Sequence, residues 1–153
     1  MSQENRPGAV ADLAALYLDT IRRHAADPVG YARPIDPTHE FEADNPLCGD
    51  RILMRLRLSG ETLEAAAFDG QACAICLASA SLLCELAPGT SLARFHALRE
   101  ALVCALTEPD RDPADLEDAL RPLLGVRPYP SRIRCATLPW TAARRALEAP
   151  ASD

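Results

Sequence analysis

The clearest alternation in the chain runs from Arg51 to Leu58. Ile52, Met54, Leu56 and Leu58 fall on one side, and Arg51, Arg55 and Arg57 on the other. A period of two with one charged side predicts a half-buried strand. Ser59-Gly60-Glu61 then makes a turn, and Thr62 to Phe68 reads as the next strand. Its expected faces are Leu63, Ala65 and Ala67 against Thr62, Glu64 and Ala66, with Asp69-Gly70 ending it. His39 to Asp44 reads as a further short strand.

Elsewhere the apolar period is helical. Leu13, Leu16, Tyr17, Ile21 and His24 predict an amphipathic helix over Asp12 to Ala25, stopped by Asp27-Pro28 and Gly30. From Cys73 the period switches back to that of a helix, with Ile75, Ser79, Leu82, Leu83 and Leu86 on its face and Pro88-Gly89 at its end. Ser91 is a suitable N-cap for a helix to about Leu106, with Leu92, Phe95, Leu102 and Leu106 inward. Asp112-Pro113 has the form of a cap followed by Pro at the first helical position. That helix is expected to carry Leu116, Leu120 and Leu123 and to close at Gly125. A last helix is expected from near Cys135 or Leu138 to Leu147, with the tail Ala149 to Asp153 frayed. The resulting fold class is α+β: a small antiparallel sheet of two or three strands covered by about five helices. Residues 1–153 are expected to form one domain, with its core in about 10–148.

Composition narrows the function. The 153 residues are 48% hydrophobic and 25% charged, an ordinary globular balance. The net charge is −6, and all sixteen basic residues are Arg. Without Lys or a basic stripe, nucleic acid is not an expected partner. Schiff-base and P-loop chemistry are excluded with the missing Lys. The longest apolar candidate, Ala72 to Cys84, is shorter than the ~18 residues of a membrane span, so no membrane association is expected. Met1 to Gly8 is polar and no apolar segment of a secretory signal follows. The six cysteines are about 4% of the chain, below the level of a disulfide scaffold. Thiols without a signal imply a reducing, cytoplasmic setting.

Three of those cysteines stand at element boundaries. Cys48 lies in the turn Asn45-Pro46-Leu47-Cys48-Gly49-Asp50, Cys73 at a strand-to-helix junction, and Cys135 after a Pro-rich loop. A helix N-terminus favours the thiolate, the form that attacks sulfur and binds metal. Arg134 acts in the same direction beside Cys135. Asp50 follows Cys48 by two residues, close enough for its carboxylate to share a site. Three thiolates and a carboxylate suit Zn(II), and thiolates also suit iron–sulfur clusters. The gaps between these cysteines are long, and free Cys is commonly a small buried hydrophobe, so both readings stay open at this point.

Asn45-Pro46-Leu47-Cys48-Gly49-Asp50-Arg51 resembles the NPxCGD motif of the NifU/IscU/SufU iron–sulfur assembly family. The segment Phe68 to Ser81, with Cys73-Ala74-Ile75-Cys76, resembles that family's second motif in its GCAISxASAS form. Arg132-Ile133-Arg134-Cys135-Ala136-Thr137-Leu138-Pro139-Trp140 is similar to the RxxCAxLxW ending of the SufU branch. Ile21-Arg22-Arg23-His24 followed by Pro28 resembles the family's DHxxxP segment. Arg134 stands where IscU-type scaffolds have His, and residues 87–131 suit the helical insertion of the SufU branch. The resemblance implies a SufE/NifU-like fold and zinc held by Cys48, Asp50, Cys73 and Cys135. It implies acceptance of persulfide sulfur from a SufS-like cysteine desulfurase, for delivery to a downstream iron–sulfur scaffold or apo-protein. The enzymatic status is that of a sulfur-transfer partner, with Cys48 the implied acceptor and Cys135 the second candidate. The alternative is a scaffold that builds a transient [2Fe–2S] cluster on the same residues.

Cys76 departs from the family's usual Ser and creates Cys73-x-x-Cys76. It reads as a buried small residue, an auxiliary thiolate or a resolving thiol for Cys73. Cys84 and Cys104 read as core. His24 suits a helix end rather than a ligand set, His39 and His96 read as solvent-facing, and Ser79 and Ser81 as small residues that permit close helix packing.

Overall fold

The structure, a computed structural model, describes residues 7–108, 110 and 112–149, with side chains from Leu13 onward. Helix α1 (Pro7–Ala26) leads into β1 (His39–Asn45), β2 (Asp50–Ser59) and β3 (Thr62–Gln71). Then come α2 (Ala74–Leu86), the two-residue β4 (Thr90–Ser91), α3 (Leu92–Thr107), two 3-10 segments (Pro113–Asp115 and Asp118–Val126) and α4 (Pro130–Glu148). The strands form one antiparallel sheet in sequence order. The expected tail reaches beyond the described residues from position 150 on. No described helix is long and apolar enough to cross a membrane.

The alternation in β2 holds: Ile52, Met54 and Leu56 are fully buried, while Arg51, Arg55 and Arg57 pair outside with Glu42, Asp69 and Glu64. In β3 the expected faces need correction. Pairing runs Arg57↔Ala65 and then Leu58↔Leu63, so Glu64 is an extra residue. A bulge of this kind shifts the phase of everything beyond it. Leu63, Ala66 and Phe68 therefore share the face of Leu58, Leu56 and Met54. The strand also runs past Asp69-Gly70 to Gln71. The sheet has a fourth strand beyond the two or three expected, because two residues are too few to alternate.

Two helical expectations also change. Ser91 caps α3 as expected, its hydroxyl accepting from Arg94 N at 3.1 Å. Residues 113–126 are 3-10 segments, with i→i+3 bonds such as Leu120 N to Glu117 O at 2.9 Å. Pro122 removes a donor and crowds the carbonyl four residues back, which disfavours an α-helix there. Leu116, Leu120 and Leu123 are buried nonetheless. Helix α4 starts at Pro130, ahead of both expected starts, and carries Pro139 in its interior.

The core lies between the Ile52–Met54–Leu56 face and the helices α2 and α4, with α3 stacked on α4. Trp140 fixes α4 in that stack. Its ring lies 5.5 Å from Phe95 in a stacked arrangement, and its Nε1 donates to Ser79 Oγ at 3.1 Å. Ser79 Oγ in turn donates to the Ala136 carbonyl. Ser81 Oγ accepts from Val29 N at 2.8 Å and bonds His24 Nδ1 at 2.7 Å. Both serines thus satisfy buried polar groups as well as permitting close packing.

Gly70 is the tightest point of the sheet. Its φ is +145°, and a Cβ there would sit 2.1 Å from the Arg51 carbonyl oxygen. Gly70→Ala should cost about 3 kcal/mol or more, combining backbone strain with a backbone clash. Urea unfolding measures it, and a midpoint equal to wild type would contradict this account of β2–β3.

Candidate metal centre

Each candidate ligand is placed by backbone pairing. In the β1–β2 turn, Asn45 O accepts from Cys48 N at 3.1 Å and Gly49 N at 2.8 Å. Asn45 Oδ1 accepts from Leu47 N at 3.2 Å, an Asx turn. Gly49 takes φ +74°, a left-handed value open to Gly without strain. The turn leaves Cys48 exposed at its tip and directs Asp50, the first residue of β2, inward at 3% exposure. Antiparallel pairing of Arg51 with Gln71 brings the end of β3 alongside, so Cys73 follows directly at the start of α2. Helix α4 lies across β1 and β2 and supplies Cys135 from its second turn.

Asp50 is the hub of these groups. Its Oδ1 accepts from Cys73 N at 2.8 Å, and its Oδ2 lies 3.5 Å from Cys73 Sγ. Cys135 Sγ lies 3.9 Å from Cys48 Sγ and 3.4 Å from the Ser131 carbonyl oxygen. Ligand atoms of Cys48, Asp50 and Cys135 all fall within 4.8 Å of one another. Cys73 stands outside that mutual set and reaches it through Asp50 and Cys135. Asn45 was legible in the sequence only as a turn residue, yet its Nδ2 donates to Cys48 Sγ at 3.5 Å.

The chemistry of the donor set suits a thiophilic cation, and two of its edges have tetrahedral length, while Cys73 stands farther than 4.8 Å from at least one other ligand atom. Zinc–sulfur and zinc–oxygen bonds of about 2.3 and 2.1 Å imply edges of about 3.8 Å between two sulfurs and 3.6 Å between sulfur and oxygen. The separations here are 3.9 Å for Cys48–Cys135 and 3.5 Å for Cys73–Asp50. Electrostatics points the same way. Burial pushes the Cys135 thiol well above the usual range, and hydrogen bonds and negative charge from Asp50 and Cys73 push it further. A cation among these groups reverses that balance and favours the thiolate.

The remaining cysteines are outside the candidate ligand set. Cys76 is fully buried in the first turn of α2. Burial, then Asp50 and Cys73, raise its thiol far above the usual range. Cys84 is buried as expected, its thiol pushed up to about 12 by burial against a partial offset from Arg33. Cys104 is only half-buried on α3, a correction to its core reading. His24 is held by Ser81, away from the candidate ligands, while His39 is half-buried against Thr38 Oγ1 and His96 is exposed.

Residues 16–149 match the family described as NifU-like N terminal domain. The chain belongs to this family. Within it the chain is a SufU-type member of the NifU/IscU iron–sulfur cluster assembly group. The zinc-dependent sulfurtransferase SufU of Bacillus subtilis is 31% identical over 138 residues, 90% of this chain and 92% of that protein. The iron–sulfur cluster assembly scaffold protein IscU of Streptococcus pyogenes is 30% identical over 141 residues, 92% of this chain and 87% of that protein. The crystal structure of a hypothetical protein superposes with a TM-score of 0.78 at 29% identity, covering 88% of this chain and 98% of its own.

The geometry sets an order of thiol reactivity for the reduced, metal-free protein. A short pulse of iodoacetamide should alkylate exposed Cys48 and Cys73 ahead of buried Cys76, Cys84 and Cys135, since attack needs an accessible thiolate. Peptide mass mapping reads the order. Labelling of Cys135 as fast as Cys48 would contradict the burial described for α4.

Proposed function

We propose that this NifU-family chain is a zinc-dependent sulfur acceptor, taking persulfide sulfur from a SufS-like cysteine desulfurase and passing it to a downstream iron–sulfur scaffold or apo-protein. The observation that carries this reading is the convergence of Cys48, Asp50 and Cys135, with Cys48 the exposed member. The name of the Bacillus subtilis relative, a zinc-dependent sulfurtransferase, supports it. Zinc bound by Cys48, Asp50, Cys73 and Cys135 would hold the thiols as thiolates at neutral pH. A reducing, cytoplasmic compartment would keep these thiols available for the transfer.

The chain's own residues then act as follows. Asp50 contributes a harder and more exchangeable oxygen than a fourth thiolate would. The Cys48 thiolate, on its exposed turn, attacks the outer sulfur of the donor's persulfide. The bond between the two donor sulfurs breaks, the donor cysteine leaves as thiolate, and Cys48 carries the persulfide. Leu47, 77% exposed beside Cys48, offers an apolar contact to the protein partner that this handover requires. Cys135, only 3% exposed, is the less accessible second candidate for acceptor.

Incubation with a cysteine desulfurase and free cysteine, followed by persulfide mapping, tests the reading. Persulfide should appear on Cys48, and Cys48→Ala should reduce transfer to below about a hundredth, as loss of a nucleophile does. Full transfer with that variant removes Cys48 as acceptor. Iron and sulfide in place of zinc would favour the [2Fe–2S] scaffold reading, the role named for the Streptococcus relative. Asp50→Cys should slow zinc release to a chromophoric chelator, because a fourth thiolate replaces the more exchangeable carboxylate. Faster release would contradict the role given to Asp50.

A further inference from the structure

Sulfur transfer at Cys48 leaves Cys76 without a role. Its setting is specific. Cys73 is the exposed N-cap of α2, in extended conformation at φ −67°, ψ 166°, and its carbonyl already accepts the first helical bond from Leu77 N at 2.9 Å. Cys76 stands three residues on, fully buried in the same turn. Positions i and i+3 of a helical turn lie about 5 Å apart at Cα. That spacing is within the ~4.4–6.8 Å window for a disulfide. Cys73 is exposed and Cys76 is buried.

We propose that Cys73 and Cys76 are a redox dithiol, which closes to an intramolecular disulfide when no metal holds Cys73 and so withdraws Cys73 from the metal site. The inference goes beyond the sulfur-transfer reading and takes from it only the place of Cys73 among the ligands. The oxidant is a low-molecular-weight disulfide, RSSR. Exposed Cys73, as thiolate, attacks one of its sulfurs. The Cys73–SR bond forms, the RS–SR bond breaks, and one RS⁻ leaves and takes up a proton. Cys76, having lost its proton, attacks Cys73 Sγ and expels the second RS⁻. Two protein thiols lose two electrons and two protons, and RSSR becomes two RSH. A small dithiol reductant runs the exchange backwards and restores both thiols.

The order of events follows from burial. Cys76 meets no outside reagent, so it acts only after Cys73 is modified, as a resolving thiol does. A bound cation keeps Cys73 engaged and blocks the first attack. Metal and disulfide therefore compete for one sulfur, which couples the redox state of the compartment to loading of the site.

The test uses the full chain, stripped of metal and equilibrated in glutathione buffers of rising oxidised fraction. After acid quenching and alkylation, peptide mapping should find Cys73 joined to Cys76. The oxidised protein should bind zinc at least about 100-fold more weakly, since loss of a direct ligand exceeds the 10–100-fold cost of losing an outer partner. Cys76→Ser, and Cys76→Ala if the serine variant folds poorly, should stop at a Cys73–glutathione adduct and lose zinc only in buffers at least about 10-fold more oxidising, because the intramolecular closure is missing. Pairing of Cys73 with Cys48 or Cys135, a stable glutathione adduct on Cys73 of the unsubstituted chain, or zinc loss in the Cys76 variants at the same oxidised fraction as in that chain would overturn the proposal. Failure of the reduced protein to bind zinc would count against the proposed function, while the disulfide map still decides the pair.

Discussion

One carboxylate ties the two halves of the candidate site together. Asp50 Oδ1 accepts from the Cys73 backbone N–H at 2.8 Å, joining the first residue of β2 to the start of α2. That contact exists because β2 and β3 pair in one register, with Ile52 opposite Gly70 and Arg51 opposite Gln71. The register in turn requires a residue without Cβ at position 70, where the Arg51 carbonyl passes too close for any side chain. A slip by one residue would turn Asp50 away and expose Ile52 and Met54 together. Site geometry and core burial are therefore selected by the same pairing.

The other half of the site depends on α4. Pro139 removes the amide that would bond the Cys135 carbonyl within the helix. The turn around it is held instead by a side-chain relay: Trp140 to Ser79, and Ser79 to the Ala136 carbonyl. This relay fastens α4 to α2 one residue beyond Cys135. The two elements that carry Cys73 and Cys135 are thus locked to each other by a buried polar contact, which has few alternative geometries once water is excluded.

Much of this was legible in the sequence where local chemistry and global packing agree. The Ile52–Leu58 alternation, the Ser91 cap and the Asn45–Asp50 turn all appear as read, because each is decided by nearest neighbours. The exceptions have non-local causes. The bulge at Glu64 changes which alanines of β3 face the core, and nothing in the string Leu63-Glu64-Ala65-Ala66-Ala67 announces it. The 3-10 form of 118–126 reflects Pro122 within an otherwise helical apolar period. The early start of α4 follows from Pro130, which suits a first helical turn, although the preceding Pro-rich run reads as extended. At the site, the motif cysteines came with their family resemblance, but the central place of Asp50 and the bond from Asn45 Nδ2 to Cys48 come only from the folded turn.

The proposed centre is one thiophilic cation held among three thiolates and one carboxylate. X-ray absorption at the metal edge of the purified full chain, joined to elemental analysis, tests it most directly. The proposal predicts one zinc per chain with three sulfur neighbours and one oxygen neighbour. Zinc surrounded only by oxygen and nitrogen, or iron with inorganic sulfide in its place, would contradict it.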